Sequence, residues 1–176
     1  MYLTKVSMIY CFMIITIGHT AIKCIQVEID TITATRLFTK SDANKILGSP
    51  SHLTDSVIKK DASTFSYLCG YKTDKEDQKT GKIGALYFFF EGYNDIADAN
   101  KRYSDVYMSN KAHGMEKVNL WGEEALYHTD HQNFDLMMVQ KGKYVFSIKI
   151  NKRTSTTSLK ELKYALKRIS DQLKLK

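Results

Sequence analysis

The 176-residue sequence predicts an α+β fold: one antiparallel sheet, largely a duplicated αββ unit, packed against helices that include an amphipathic C-terminal one. Three observations predict it. Period-two alternation and helical spacing occur in separate segments along the chain. The last segment repeats Leu159, Leu162, Leu166, Ile169 and Leu173 at intervals of three and four, the stripe of a helix docked on one side. Several short matches also share an offset of 56 residues: DANK at 42–45 and 98–101, YKTD at 71–74 with YHTD at 127–130, and Phe88 and Phe90 with Tyr144 and Phe146. A common offset that links like elements points to a helix-strand-strand unit used twice.

At the start, Lys5 is the only charge before Lys23, and VSMIYCFMIITI (6–17) is an apolar run followed by the small and polar GHTA. That run is shorter than the roughly 20 apolar residues that span a bilayer, so residues 1–21 read as a signal peptide cleaved near Ala21, with an uncleaved anchor as the alternative. Residues 22–176 then form a single domain, exported to a periplasmic or extracellular space. Lipid attachment is disfavoured, because Tyr10 and Lys23 precede Cys11 and Cys24 where small residues are needed. Two cysteines remain after cleavage, Cys24 and Cys69, which an oxidising compartment would allow to pair; the alternative is Cys69 as a small apolar strand residue.

Each following element has its own signal. IQVEI (25–29) alternates as a short strand. TKSDANKIL (39–47), with Thr39 and Ser41 at its start and Gly48, Ser49 and Pro50 after it, is a short helix. STFSYLCGY (63–71) alternates, with Phe65, Tyr67, Cys69 and Tyr71 on one face. GALYFFFE (84–91) is apolar on both faces, as a strand inside a sheet should be. A helix runs from Asn94 to about Ala112 and stops at Gly114, burying a stripe of Ile96, Ala99, Tyr103, Val106 and Tyr107. Strands follow at 118–128, 134–140 and 144–150, the last two joined by a tight turn at Lys141-Gly142-Lys143. The final helix begins at Ser158, with Glu161 completing a capping box.

One stretch invites a chemical reading. LYHTDHQNF (126–134) carries His128, Asp130 and His131, residue types that ligate zinc or support hydrolysis, although zinc needs a third or fourth ligand. The equivalent stretch in the first half is KTDKEDQKTGK (72–82), a charged run that reads as an exposed loop. TDHQN is therefore expected at a solvated hairpin tip, with the metal site as the alternative. Trp121 in NLWGEEALY is expected to anchor its strand in the core, with Gly122 allowing a kink, rather than to serve as a binding platform. Glu123 and Glu124 are adjacent on a strand and point to opposite faces, which does not support paired-carboxylate glycosidase chemistry. GxSxG, the Walker loop and GxGxxG are all missing, so no catalytic or cofactor-binding residues are assigned.

The formal charge is +7, and the one Lys within 1–21 leaves +6 after cleavage. Much of the excess lies on the last helix, at Lys160, Lys163, Lys167, Arg168, Lys174 and Lys176, beside Glu161 and Asp171. A solvated face is the first explanation. Attraction to anionic lipid is the second, and it or an uncleaved N-terminal segment would be the only routes to a membrane. Nucleic acid is not expected, since no basic stripe interleaved with aromatics is present.

A helix ending in Leu47-Gly48, the strand motif CGY (69–71), WGEEALY, the hairpin strand KGKYVFSIKI and an amphipathic terminal helix together resemble small exported bacterial domains of uncharacterised function. Their fold is similar to that of the PsbP-like αββ-repeat proteins. The likeness covers roughly residues 35–175, and it implies a fold and an address rather than an activity. The expected function is a non-catalytic binding or accessory module acting on a protein or small ligand, without a cofactor; the alternative is a zinc-binding protein or hydrolase built on residues 128–131.

Overall fold

The structure, a computed structural model, describes residues 34–174. The predicted leader, the strand expected at 25–29 and Cys24 lie outside those residues. After a helical turn at 34–37 come helix α1 (Lys40–Leu47) and strands β1 (Ser51–Lys60), β2 (Thr64–Thr73) and β3 (Ala85–Tyr93). Helix α2 (Ile96–Asn110) and a 3-10 turn (Lys111–His113) lead into β4 (Glu116–Leu120), β5 (Glu123–Thr129), β6 (Asp135–Lys141) and β7 (Tyr144–Lys152), and α3 (Leu159–Lys174) ends the described chain. All seven strands form one antiparallel sheet in the order β1-β2-β3-β7-β6-β5-β4. The α+β class holds, and so does the C-terminal helix.

Local chemistry explains the boundaries. Thr39 caps α1 by accepting from the Asp42 N–H while Asp42 accepts from the Thr39 N–H, a reciprocal box. Its last carbonyls, Ile46 and Leu47, would be orphans at a free helix end. Here they accept from the Ser158 N–H at 2.8 Å and the Thr156 hydroxyl at 2.8 Å, so α1 is closed by the segment that starts α3. That close approach requires Gly48, whose φ is +69° and whose position has no room for a Cβ beside the Thr156 carbonyl. Ser158 caps α3 through the Glu161 N–H at 3.2 Å.

Two cores lie on the two faces of the sheet. On the inner face, Ala43, Ile46 and Leu47 of α1 and Leu162, Leu166, Ile169 and Leu173 of α3 close over Phe65, Tyr67, Phe88, Phe90, Phe146 and Ile148. Phe38 stacks on Phe88, centroids 4.9 Å apart. Each fully buried ring contributes about 1.5–3 kcal/mol by leaving water, so this face dominates stability. On the outer face, Ala99 of α2 packs with Met115, Leu126, Met138 and Val145, with Tyr103, Val106 and Tyr107 against them. The predicted stripe of α2 is therefore correct from Ala99 onward. Ile96 is 56% exposed, because the first turn of the helix has not yet reached the sheet.

In the central ladder Phe90 sits opposite Phe146, the residue 56 positions on. Beyond that pair the halves diverge: β2 lies beside β3, whereas β6 separates β5 from β7, and α1 and α2 occupy opposite faces. Two further expectations change. The strand predicted over 118–128 is two strands, β4 and β5, joined by a two-residue turn at Trp121-Gly122 with φ of +52° and +87°. Trp121 is consequently 46% exposed rather than buried, its ring stacked on Tyr164 of α3. The edge strand β1 has no counterpart among the elements read from the sequence.

Candidate functional site

The LYHTDHQNF stretch ends β5 and turns into β6. Asp130 holds the turn: its carboxylate accepts from the N–H groups of Gln132 (3.0 Å), Asn133 (2.7 Å) and Phe134 (2.9 Å) and from the Asn133 side chain (3.0 Å). Those donors, the Phe134 N–H foremost, hold its carboxyl well below the usual carboxylate range. His131 occupies the left-handed region at φ +63° and gives its N–H to the Thr129 hydroxyl. His128 lies 2.9 Å through Nε2 from the His113 carbonyl and sets its ring edge-on to Phe134. Each of the three predicted ligands thus has a separate local contact, and TDHQN is at a hairpin tip. Among the described residues, no group of three or more His, Cys, Asp or Glu side chains is placed to hold a metal ion.

This tip is tied to neighbouring loops. Arg153 donates its N–H to the Asn133 carbonyl at 2.8 Å, and Lys82 reaches the Asn133 side chain at 3.0 Å. Beside it, the long β2–β3 loop and the β7–α3 segment border an open cleft of about 520 Å³, lined by Pro50, Asp74, Glu76, Lys79 and Thr156 among others. Asp77 spans it, accepting from the Ser155 hydroxyl at 2.5 Å and from Thr80; those hydroxyls pull its carboxyl down to about 2. On the same rim His52 meets Asp74 at 2.7 Å, a pair that sequence reading missed because only the β1–β2 register joins positions 22 apart. Both partners are well exposed, so the pair is worth little.

Cys69 is fully buried, and desolvation pushes its thiol up to about 11. Because the thiolate is the nucleophile, this sulfur is inert near neutrality. Its suggested partner Cys24 lies outside the described residues. Glu123 and Glu124 diverge: Glu123 turns to Lys141 (2.8 Å) and to Ser170 of α3 (2.7 Å), while Glu124 pairs with Lys117 at 3.0 Å.

On α3, Lys167 is paired with Asp171, and Arg168 reaches Asp42 and the Leu37 carbonyl, which spends two of the helix's cations internally. No helix among the described residues is long and apolar enough to cross a membrane.

The least accounted-for surface is apolar and lies on the outer face of the sheet. Cross-strand pairing places Val57, Leu68 and Phe89 in one row on β1, β2 and β3, with Tyr87 adjacent on β3. Helix α2 packs over β3, β6 and β7, and among the described residues no helix covers this row on β1 and β2. Leu68, Tyr87 and Phe89 are half-buried and Val57 is 42% exposed. Lys59 and Asp55 flank the row on β1. Compared with protein-family models, with curated proteins and with solved structures, the chain matches nothing.

Proposed function

We propose that the chain is an exported, non-catalytic binding module that takes a protein or small ligand on the outer face of its sheet. The Val57, Leu68 and Phe89 row carries this reading: contiguous apolar side chains left open beside a helix are what a partner can bury. The histidine stretch supports it from the other side, since the Asp130 carboxylate is engaged in building its own turn and the His128 ring lies against the His113 carbonyl. The same proposal takes residues 1–21 as the export signal. It also takes the duplicated αββ unit, of the kind the PsbP-like proteins have, as the origin of the fold, with the DANK matches and the Phe90–Phe146 pair in support.

The test uses anilinonaphthalene sulfonate as an apolar probe. The native full chain should bind the dye with a fluorescence rise that Leu68→Thr and Phe89→Thr each reduce, at unchanged far-ultraviolet circular dichroism. Dye binding that ignores both substitutions would overturn the reading. The competing metal reading is tested by a thermal scan with zinc. Native-state binding at about a hundred times the dissociation constant adds about 2.7 kcal/mol, a rise of roughly 5–10 °C in Tm. A rise of that order that disappears in His128→Ala would replace the binding-module reading with a metal site.

A further inference from the structure

We propose that the chain self-associates through strand β1, which pairs antiparallel with β1 of a second copy about a two-fold axis at Val57. This goes beyond the outer-face reading and does not depend on what that face binds.

β1 is the sheet's outermost strand and runs for ten residues, of which only Ser51 is buried. The opposite edge, β4, runs for five. A long edge presents a row of backbone donors and acceptors ready for another strand. The apolar side chains point the same way: Leu53, Val57 and Ile58, at 50%, 42% and 48% exposure, are three of the seven exposed large hydrophobics among the described residues. Val57 lies on the outer face with Leu68 and Phe89; Ile58 lies on the inner face with Tyr67. Exposed apolar groups on both faces of one strand are buried together only if the sheet itself continues.

Charge selects the occupant and the register. Asp55, Val57 and Lys59 alternate along the outer face. With Val57 on the axis, Asp55 of each copy faces the partner's Lys59, forming two opposite-charge pairs around a Val–Val contact, and Ser56 faces Ile58. Centring on Asp55 or Lys59 would set like charges face to face, and centring on Ser56 would set Asp55 against Val57. Lysines and bulges on an edge commonly discourage pairing. Here the bulge, between Leu53 and Asp55, lies outside the paired run 55–59, and Lys59 meets an acid. An interface limited to one strand is small, so the dimer is reversible and concentration-dependent. It joins the two outer rows into one stripe running Phe89, Leu68, Val57 and back through the partner's Val57.

Sedimentation equilibrium of the full chain over a wide concentration range tests this. A monomer–dimer equilibrium is expected. Asp55→Lys and Lys59→Asp should each weaken it by about tenfold or more, because each sets like charges across the axis. An equimolar mixture of the two variants should regain association as a heterodimer. Since both positions are exposed, neither substitution should alter the fold, which circular dichroism checks. A chain that stays monomeric throughout, a dimer indifferent to both substitutions, or a mixture that fails to recover each overturns the proposal; the first would leave the edge to an extended segment of another protein.

Discussion

Trp121 stacks on Tyr164 with ring centroids 5.5 Å apart and planes 17° from parallel, clamping the β4–β5 turn onto helix α3. The clamp is held at a backbone cost, since a bulky residue at φ +52° is disfavoured by about 1–2 kcal/mol. Asn or Gly is the ordinary choice at the first position of such a two-residue turn. An aromatic pair returns about 0.5–1.5 kcal/mol, so the two effects nearly cancel. Trp121→Asn should therefore change stability by less than about 1 kcal/mol. A double-mutant cycle of Trp121→Ala with Tyr164→Ala, read by urea denaturation, should yield a coupling of about 0.5–1.5 kcal/mol; additive losses would show the rings to be independent.

Gly48 tests the junction between α1 and α3. A Cβ there would sit 2.2 Å from the Thr156 carbonyl oxygen, in a left-handed conformation. Gly142, at φ +55° in the β6–β7 turn, has open space around it. Gly142→Ala should thus lose only the conformational part, about 1 kcal/mol, whereas Gly48→Ala should lose about 2–4 kcal/mol. Equal losses in denaturant unfolding would mean that the α1–α3 junction yields without cost.

What the sequence conveyed follows what burial imprints on it. Helix α3 has one buried stripe, and on strand β7 Phe146, Ile148 and Ile150 alternate along the inner face, so the periods of 3.6 and two were readable. The tip at TDHQN was readable because its chain neighbours are polar in both halves. Strand β1 was not, since an edge exposed on both faces buries nothing that would set a pattern, and the bulge after Leu53 breaks the parity. The Trp121-Gly122 turn was hidden because its first residue is not one that turns favour. The outer-face row was hidden for a different reason: Val57, Leu68 and Phe89 become neighbours only through strand register, which a linear reading lacks.

Acid should destabilise the protein through its loop carboxylates. Asp61, Asp77 and Asp130 all have folded values below their ordinary ones, because hydroxyl and backbone donors favour the charged form, and Asp77 falls to about 2. A depressed folded value means that the unfolded chain binds protons first as pH falls. The stability these groups supply is therefore complete above about pH 5, where an unperturbed Asp is ionised, and drains away below about pH 4. The urea midpoint should be flat from neutrality to that point and then decline, less steeply in Asp130→Asn. A midpoint unchanged down to about pH 2.5 would contradict the lowered values.

Asp135 sets the sharpest demand on the interior. It is fully buried at the start of β6, where Oδ1 accepts from the Tyr127 hydroxyl at 2.8 Å. Its Oδ2 lies 3.3 Å from Nε of Arg153, close enough for charge pairing but without hydrogen-bond geometry, so that oxygen relies on attraction alone. Removing one partner of a buried pair leaves the other uncompensated, and Arg153 is itself mostly buried. Asp135→Ala should therefore cost about 3–5 kcal/mol, and Tyr127→Phe, which strips one hydrogen bond but keeps the pair, about 1–3 kcal/mol. Arg153→Met in the Asp135→Ala background should recover part of the loss by removing the stranded cation. Chemical denaturation of the three variants decides it, and a further loss on adding Arg153→Met would show that the guanidinium stabilises through its backbone contact near the turn, at the His131 carbonyl, rather than through Asp135.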